Sequence, residues 1–382
     1  MKKIYSLSPS ASFFITVLGI IAIGLAMKEL QSIFLPLFIA YFLFLLFQPL
    51  NIFLEKYKIP KPIIIISNIA IVYFLVYGAT SFLIESAIRF SDAGSSYLPK
   101  LNALIVENGI KLGISEESMN SFTIEEQISK LDYGKLAGGV LTSTVDLAGS
   151  ILMVLFYYVF IVSGYSGIMK AIHTRYVEKR RAKEFRAIEE EFKTAESAAL
   201  PITETEELID AKKHEVDEKL ESTFKKIPEQ IQRYVITKMI INLGAGISIF
   251  FLMWAIGIDF PEIWGILTFF MNFIPTIGSA IALILPGIMT LIQTGSVSST
   301  LLVIGAIAVV QTLFFNILEP IFLGKRLNLN PLVILMSVLI WGYVWGIVGM
   351  LLAVPFTAIL KIIISNIDSK NMRFISDLMS QK

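Results

Sequence analysis

Apolar residues come in blocks along this chain rather than in alternation. Six runs, near residues 10–27, 33–50, 62–84, 141–163, 235–257 and 298–318, are each close to the roughly 20 helical residues that a hydrocarbon core of about 30 Å requires. Continuous runs of this kind predict helices and argue against membrane strands, which would alternate. Two further apolar stretches, 263–293 and 331–364, are too long for one ordinary span and too short for two. The shorter would run about 46 Å as a straight helix. Each is punctuated in its middle, by Pro275, Gly278 and Pro286 in the first and by Gly342, Gly346, Gly349 and Pro355 in the second. Proline removes a backbone donor and clashes with the preceding turn, so both stretches are predicted to break. The expected fold class is an all-α polytopic membrane protein with about eight membrane segments, two of them broken or re-entrant hairpins.

The polar stretches divide the chain. Residues 1–84 hold spans one to three, the first read as a retained span because no small-x-small cleavage site follows it. Residues 85–140 form an extracytoplasmic segment, in which "YLPKLNALIVENGIKLGI" has the spacing of an amphipathic helix. The fourth span occupies 141–164. Residues 165–233 read as a charged cytoplasmic helical hairpin turning at "PITET". The membrane region resumes over 234–365 and a cytoplasmic tail covers 366–382. Orientation follows from Lys2 and Lys3, from Lys56, Lys58 and Lys61, and from the basic cluster Lys170 to Arg186, all expected inside. Both termini are then cytoplasmic. If 263–293 dips in and returns, Lys325 and Arg326 also fall inside, as a cytoplasmic anchor; eight plain spans would put them outside.

Composition narrows the class further. Of 382 residues, 55% are hydrophobic and 16% charged, with a mean hydropathy of +0.72, values that belong to a membrane protein. A net charge of +1 gives no reason to expect nucleic acid. With no cysteine, thiolate metal sites and cysteine nucleophiles are excluded. The sequence has no G-x-x-x-x-G-K-[ST] loop, "SGYSG" lacks nucleophile-elbow spacing, and His173 and His214 lack metal-ligand spacing. No enzyme, cofactor or metal site is expected.

Non-helical backbone survives at membrane depth only where protein or trapped water satisfies it, so breaks point to a cavity. In "FFMNFIPTIGSA" the break brings Asn272, Pro275, Thr276, Gly278 and Ser279, able to hold a polar solute or a cation. The plainer reading is a kinked helix whose Asn272 and Ser279 bond to neighbouring helices. Gln311 and Asn316 lie in the span near 298–318, with Glu319 close to its end. A carboxylate in such a place is costly and either functional or paired. Glu319 would exchange a proton or bind a cation, or else pair with Lys325 or Arg326. The stretch "EPIFLGKRLNLNP" (319–331) reads as a hinge, with Pro320, Gly324, Asn330 and Pro331, the last two suited to start a helix. Asp146, Lys238, Asp259 and Glu262 read as interfacial, and Trp341 and Trp345 as membrane-interface markers.

Three stretches, "NFIPTIGSAIALILPGIMTLIQTG", "EPIFLGKRLNLNP" and "WGIVGMLLAVPFTAILKI", resemble the autoinducer-2 exporter family of membrane permeases. The N-terminal layout matches as well, while 165–233 is longer and more charged than the family pattern. The resemblance implies an integral inner-membrane protein exporting a small polar solute on an ion gradient, proton or sodium, assembled as a homo-oligomer, a pentamer by likeness. Two other classes stay open: a sodium- or lithium-proton antiporter, and a non-transporting scaffold acting through 165–233.

Overall fold

Long runs of Leu, Ile, Phe and Val in lipid leave each backbone group only its own helix to bond, and the described residues are helical almost throughout. The computed structural model describes residues 9–111, 113–115, 133–195, 202–323, 329–365 and 375–380. In chain order the helices are α1 (Pro9–Glu29), α2 (Gln31–Lys56), α3 (Lys61–Lys111) and α4 (Tyr133–His173), then a π turn (Thr174–Glu178). There follow α5 (Lys179–Ala195), α6 (Ile202–Ile256), α7 (Pro261–Met271), α8 (Ile277–Thr294) and α9 (Val297–Gln311). A second π turn (Thr312–Leu318) leads into the short α10 (Glu319–Leu323), and α11 (Pro331–Ser365) follows, with one more helical turn at 375–378. Among the described residues the only strand-like pairing is an isolated bridge between Leu329 and Ser380.

Seven helical stretches among the described residues are long and apolar enough to cross a membrane: Gln31–Lys56, Lys61–Ser86, Gly149–His173, Glu207–Ile256, Ile277–Thr294, Val297–Phe322 and Pro331–Ile364. The molecule is an all-α polytopic membrane protein. Helix α7, with 11 residues, reaches only about 16 Å, half of a hydrocarbon core.

Two helices run through divisions that composition suggests. The span expected to end at 84 and the amphipathic helix beyond it are one 51-residue helix, α3. No proline interrupts it between Pro62 and Pro99, so nothing breaks the backbone ladder where the polarity changes. Likewise α6 carries the charged segment into the membrane as one 55-residue helix with Pro228 inside it. Its first half pairs antiparallel with α5 through Lys212–Glu191 at 2.9 Å, Lys213–Glu189 at 2.5 Å and Arg181–Asp217 at 2.5 Å. Such partly exposed pairs set register more than they stabilise.

The core is built around α6. One cluster joins α2, α4, α6 and α11 through Leu45, Tyr158, Tyr234 and Phe356. A second joins α6 to α7, α8 and α9 through Ile249, Met253, Trp264, Met289, Val303 and Ile307. Large side chains such as Phe74, Leu152, Trp254 and Val309 stay more than 60% exposed, as a lipid-facing surface requires.

Candidate functional site

Two helical hairpins frame the site. The first is α7–α8. Phe260 takes a left-handed conformation (φ 59) and Pro261 opens the helix, as suits a residue whose missing N–H costs nothing there. The chain reverses over 272–276, with Thr276 strained at φ 65. Gly278 permits the crossing, because a Cβ there would lie 1.7 Å from Met271 O. At the other end Gln293 clasps the mouth: its Nε2 donates to Gly257 O and its Oε1 accepts from Asp259 N, both at 2.9 Å. Thus α8 finishes beside the loop from which α7 began.

The second hairpin lies within α11. Helical geometry is lost at Trp345 (φ −130) and Gly346 (φ 61, ψ −142). The arms 331–344 and 347–365 fold back on each other, so closely that a Cβ on Gly349 would sit 2.0 Å from Trp341 O. Gly342 meets the side chain of Met350 in the same way. Val338 and Ala353, one from each arm, share a small core with Ile274 from the turn of the first hairpin. The two tryptophans pack inward against the turn. Trp345 is 4% exposed, its ring 5.0 Å from that of Trp341, and its Nε1 donates to Met27 O at 3.0 Å. A tight turn needs bulk packed against it, and the two rings supply it.

Between the hairpins and α6, α9 and α10 lies a cavity of about 450 Å³. Asn272, Thr276, Ser279, Gln311, Asn316 and Glu319, the six polar positions singled out by sequence, all line it, together with Pro275. Asn272 Nδ2 donates to Thr268 O at 2.7 Å, Ser279 Oγ donates to Asn272 Oδ1 at 2.9 Å, and Gln311 Nε2 donates to Ser279 O at 3.2 Å. These bonds tie α9 to the turn of the first hairpin. The π turn Thr312–Leu318, in which Glu319 N donates to Phe314 O, separates Gln311 from Glu319. Such turns recur at functional sites.

Glu319 is paired, and the partner the structure describes is a lysine from α6. Lys238 Nζ lies 2.8 Å from both of its oxygens. The Lys238 side chain is 8% exposed and that of Glu319 23%. Lys238 is therefore no interfacial lysine: it projects from α6 into the protein and also lines the cavity. A lone cation inside the apolar run "YVITKMIINLGAG" is the signal that finds it, once read with a lone carboxylate in another span. Lys325, Arg326 and Gly324 lie outside the described residues, as does the side chain of Asp146. Of the remaining break positions, Pro286 is buried within α8, Pro320 sits in α10 and Pro355 in the second arm of α11. Asn330 Oδ1 accepts from Leu332 N at 2.9 Å, capping α11 ahead of Pro331.

Asp259 and Glu262 are also not free at an interface. Arg89 of α3 pairs with Glu262, which is 7% exposed, and Ser86 Oγ reaches the same carboxylate at 3.5 Å. The hydroxyl of Tyr97 donates to Asp259. Burial, with the bond to the Asp259 carboxylate, pushes the Tyr97 phenol up to about 12, so it remains a donor at physiological pH. These contacts fasten α3 across the mouth of the α7–α8 hairpin.

Known proteins resemble the chain in sequence. A protein of Borreliella burgdorferi named for transport is 38% identical over 167 residues, 40% of this chain and 46% of that one. The AI-2 transport protein TqsA of Escherichia coli K12 is 37% identical over 134 residues, 35% of this chain and 39% of its own. A Haemophilus influenzae protein also named for transport is 40% identical over 129 residues, 34% and 37% of the two chains. The chain spans less than half the length of each of these relatives. The model of the AI-2E family transporter matches residues 12–200 and 205–369. With nearly its whole length so matched, the chain belongs to the AI-2E transporter family.

Proposed function

We propose that this protein is a secondary-active transporter of the plasma membrane that exports a small polar solute of the AI-2 kind, coupled to an ion gradient. The observation that carries the reading is the 450 Å³ cavity, walled by amide, hydroxyl and carboxylate groups inside an otherwise oily protein. Its volume suits a small ligand. The helix break at Asn272–Thr276 supplies backbone groups beside it, the arrangement by which transporters hold substrate at midplane, and the two arms of α11 add Ile334 and Val354 to its wall. The two hairpins would be re-entrant, one from each face, a reading supported by the Gln293 clasp and the return of the second arm of α11. Their movement would open the cavity to each side in turn. The stretch 319–331 would be the cytoplasmic hinge, with Lys325 and Arg326 as its anchor. Glu319 is the coupling carboxylate: a proton or sodium ion on it releases Lys238, and the freed cation and altered wall change the affinity for solute. A homo-oligomer, tested as a pentamer by mass measurement in detergent, would be the working assembly.

The test is flux into liposomes holding purified protein. Wild type is expected to move the solute in response to an imposed pH or sodium gradient, and Glu319→Gln to lose that response. Unchanged gradient dependence in Glu319→Gln would remove its role, and no flux of any polar solute would remove the reading. The neutral Lys238–Glu319 pair also suits cation–proton antiport. In that case sodium or lithium alone would dissipate a pH gradient with no organic solute present.

A further inference from the structure

The interface of α6 and α7 holds two polar side chains that the protein itself leaves unsatisfied. Asn242 and Thr268 are both 0% exposed. Neither amide atom of Asn242, nor the hydroxyl oxygen of Thr268, has a hydrogen-bond partner. Thr268 departs from the habit of other helical threonines in this molecule. Thr290, Thr294, Thr300 and Thr357 each donate to the carbonyl four residues earlier, at 2.7–2.9 Å. Folded proteins rarely keep buried polar atoms without giving them a partner.

Register brings the two side chains into neighbouring turns of one interface. Gly246 and Gly265 bring the antiparallel helices into backbone contact: a Cβ on Gly246 would lie 2.7 Å from Gly265 O and 3.1 Å from Phe269 Cβ. One turn on from Gly246, Asn242 faces the last turns of α7, which carry Thr268 and Phe269. One turn further, Lys238 and Asn272 are already on the cavity wall. The pair therefore stands behind that wall, near the C-terminal end of α7, where the helix dipole is negative.

We propose that Asn242 Oδ1 and Thr268 Oγ1 form the core of a binding site for a small dehydrated alkali cation of the sodium class. The donors are hard, neutral oxygens at a broken-helix end, the setting in which transporters coordinate sodium. No group of three or more His, Cys, Asp or Glu stands among the described residues to favour a transition metal. The site lies one helical turn from Lys238, so a bound cation and the ammonium repel each other, and Glu319 decides the balance. Its use as the coupling site rests on the transport reading above; its existence does not.

Thermal unfolding of the purified full-length protein, in sodium or choline chloride at equal ionic strength and without solute, tests the site. Sodium is expected to raise the midpoint saturably in wild type and in Thr268→Ser. Asn242→Leu and Thr268→Val should weaken apparent sodium affinity at least tenfold. A wild-type midpoint that sodium raises no more than choline overturns the site, as does full sodium response in both apolar variants. If transport fails while the sodium shift remains, the site stands and the transport reading alone falls.

Discussion

Replacing one partner of the Lys238–Glu319 pair should destabilise the protein unequally according to which is removed. Taking away one side of a buried pair costs about 3–5 kcal/mol, because the other charge is left without compensation. Lys238 is the more enclosed, its side chain 8% exposed against 23% for Glu319, although both line the cavity of about 450 Å³. Glu319→Gln strands the enclosed ammonium and should cost about 3 kcal/mol, the low end of that range, since an amide oxygen still accepts one bond. Lys238→Met strands the more exposed group of the two, which water reaches more readily, so about 1–2 kcal/mol is expected. The double variant Lys238→Met/Glu319→Leu removes both charges and should lose less than Glu319→Gln alone. Thermal unfolding in detergent at one fixed pH reads all four proteins, and the predicted order of midpoints is Glu319→Gln lowest, then Lys238→Met and the double variant. Additive losses in the double variant would show that the two groups do not depend on each other, and the coupling role of Glu319 would lose its structural basis.

Other expectations are simpler to state. Gly278→Ala puts a Cβ 1.7 Å from the Met271 carbonyl, an overlap no rotamer relieves, and should cost about 4–5 kcal/mol or abolish monodisperse expression; Gly305→Ala, with nothing within 4 Å, is the neutral control. Gln311→Leu unties α9 from Ser279 O and should lower solute flux several-fold in liposomes with little change in the unfolding midpoint. Arg89→Leu leaves the carboxylate of Glu262 buried without its cation. Because the arginine is itself half exposed, the loss should be about 1–2 kcal/mol, read as a lowered midpoint.

Much of this site can be read from the order of residues, for a physical reason. A polar group inside an apolar run is expensive, so each one that persists marks an interior face, and Asn272, Thr276, Ser279, Gln311, Asn316 and Glu319 all meet at one cavity. The breaks are equally legible, because Pro275, Gly278, Gly346 and Gly349 stand where a helix either loses a donor or must let another backbone approach. Pairing across distance is not legible. Lys238 and Glu319 are 81 residues apart, and a lysine near a span end is equally consistent with snorkelling to the interface. Trp345 misleads in the same way, since a girdle tryptophan and one packed against a turn have the same neighbours in sequence. Continuity was hidden too: α3 and α6 cross changes of polarity without a break, because helix propagation depends on the backbone ladder and not on what the side chains face.

The π turn between Gln311 and Glu319 has a mechanical meaning. It holds surplus chain within a continuous rod, like a dislocation in a crystal row. If it tightened to α geometry, everything after it would swivel by about 100° and slide by about 1.5 Å. Glu319 would swing off the ammonium, and α10 would turn with it, while the rest of α9 kept its packing against α8. The rod thus contains its own slack, placed one step from the charge it would have to move.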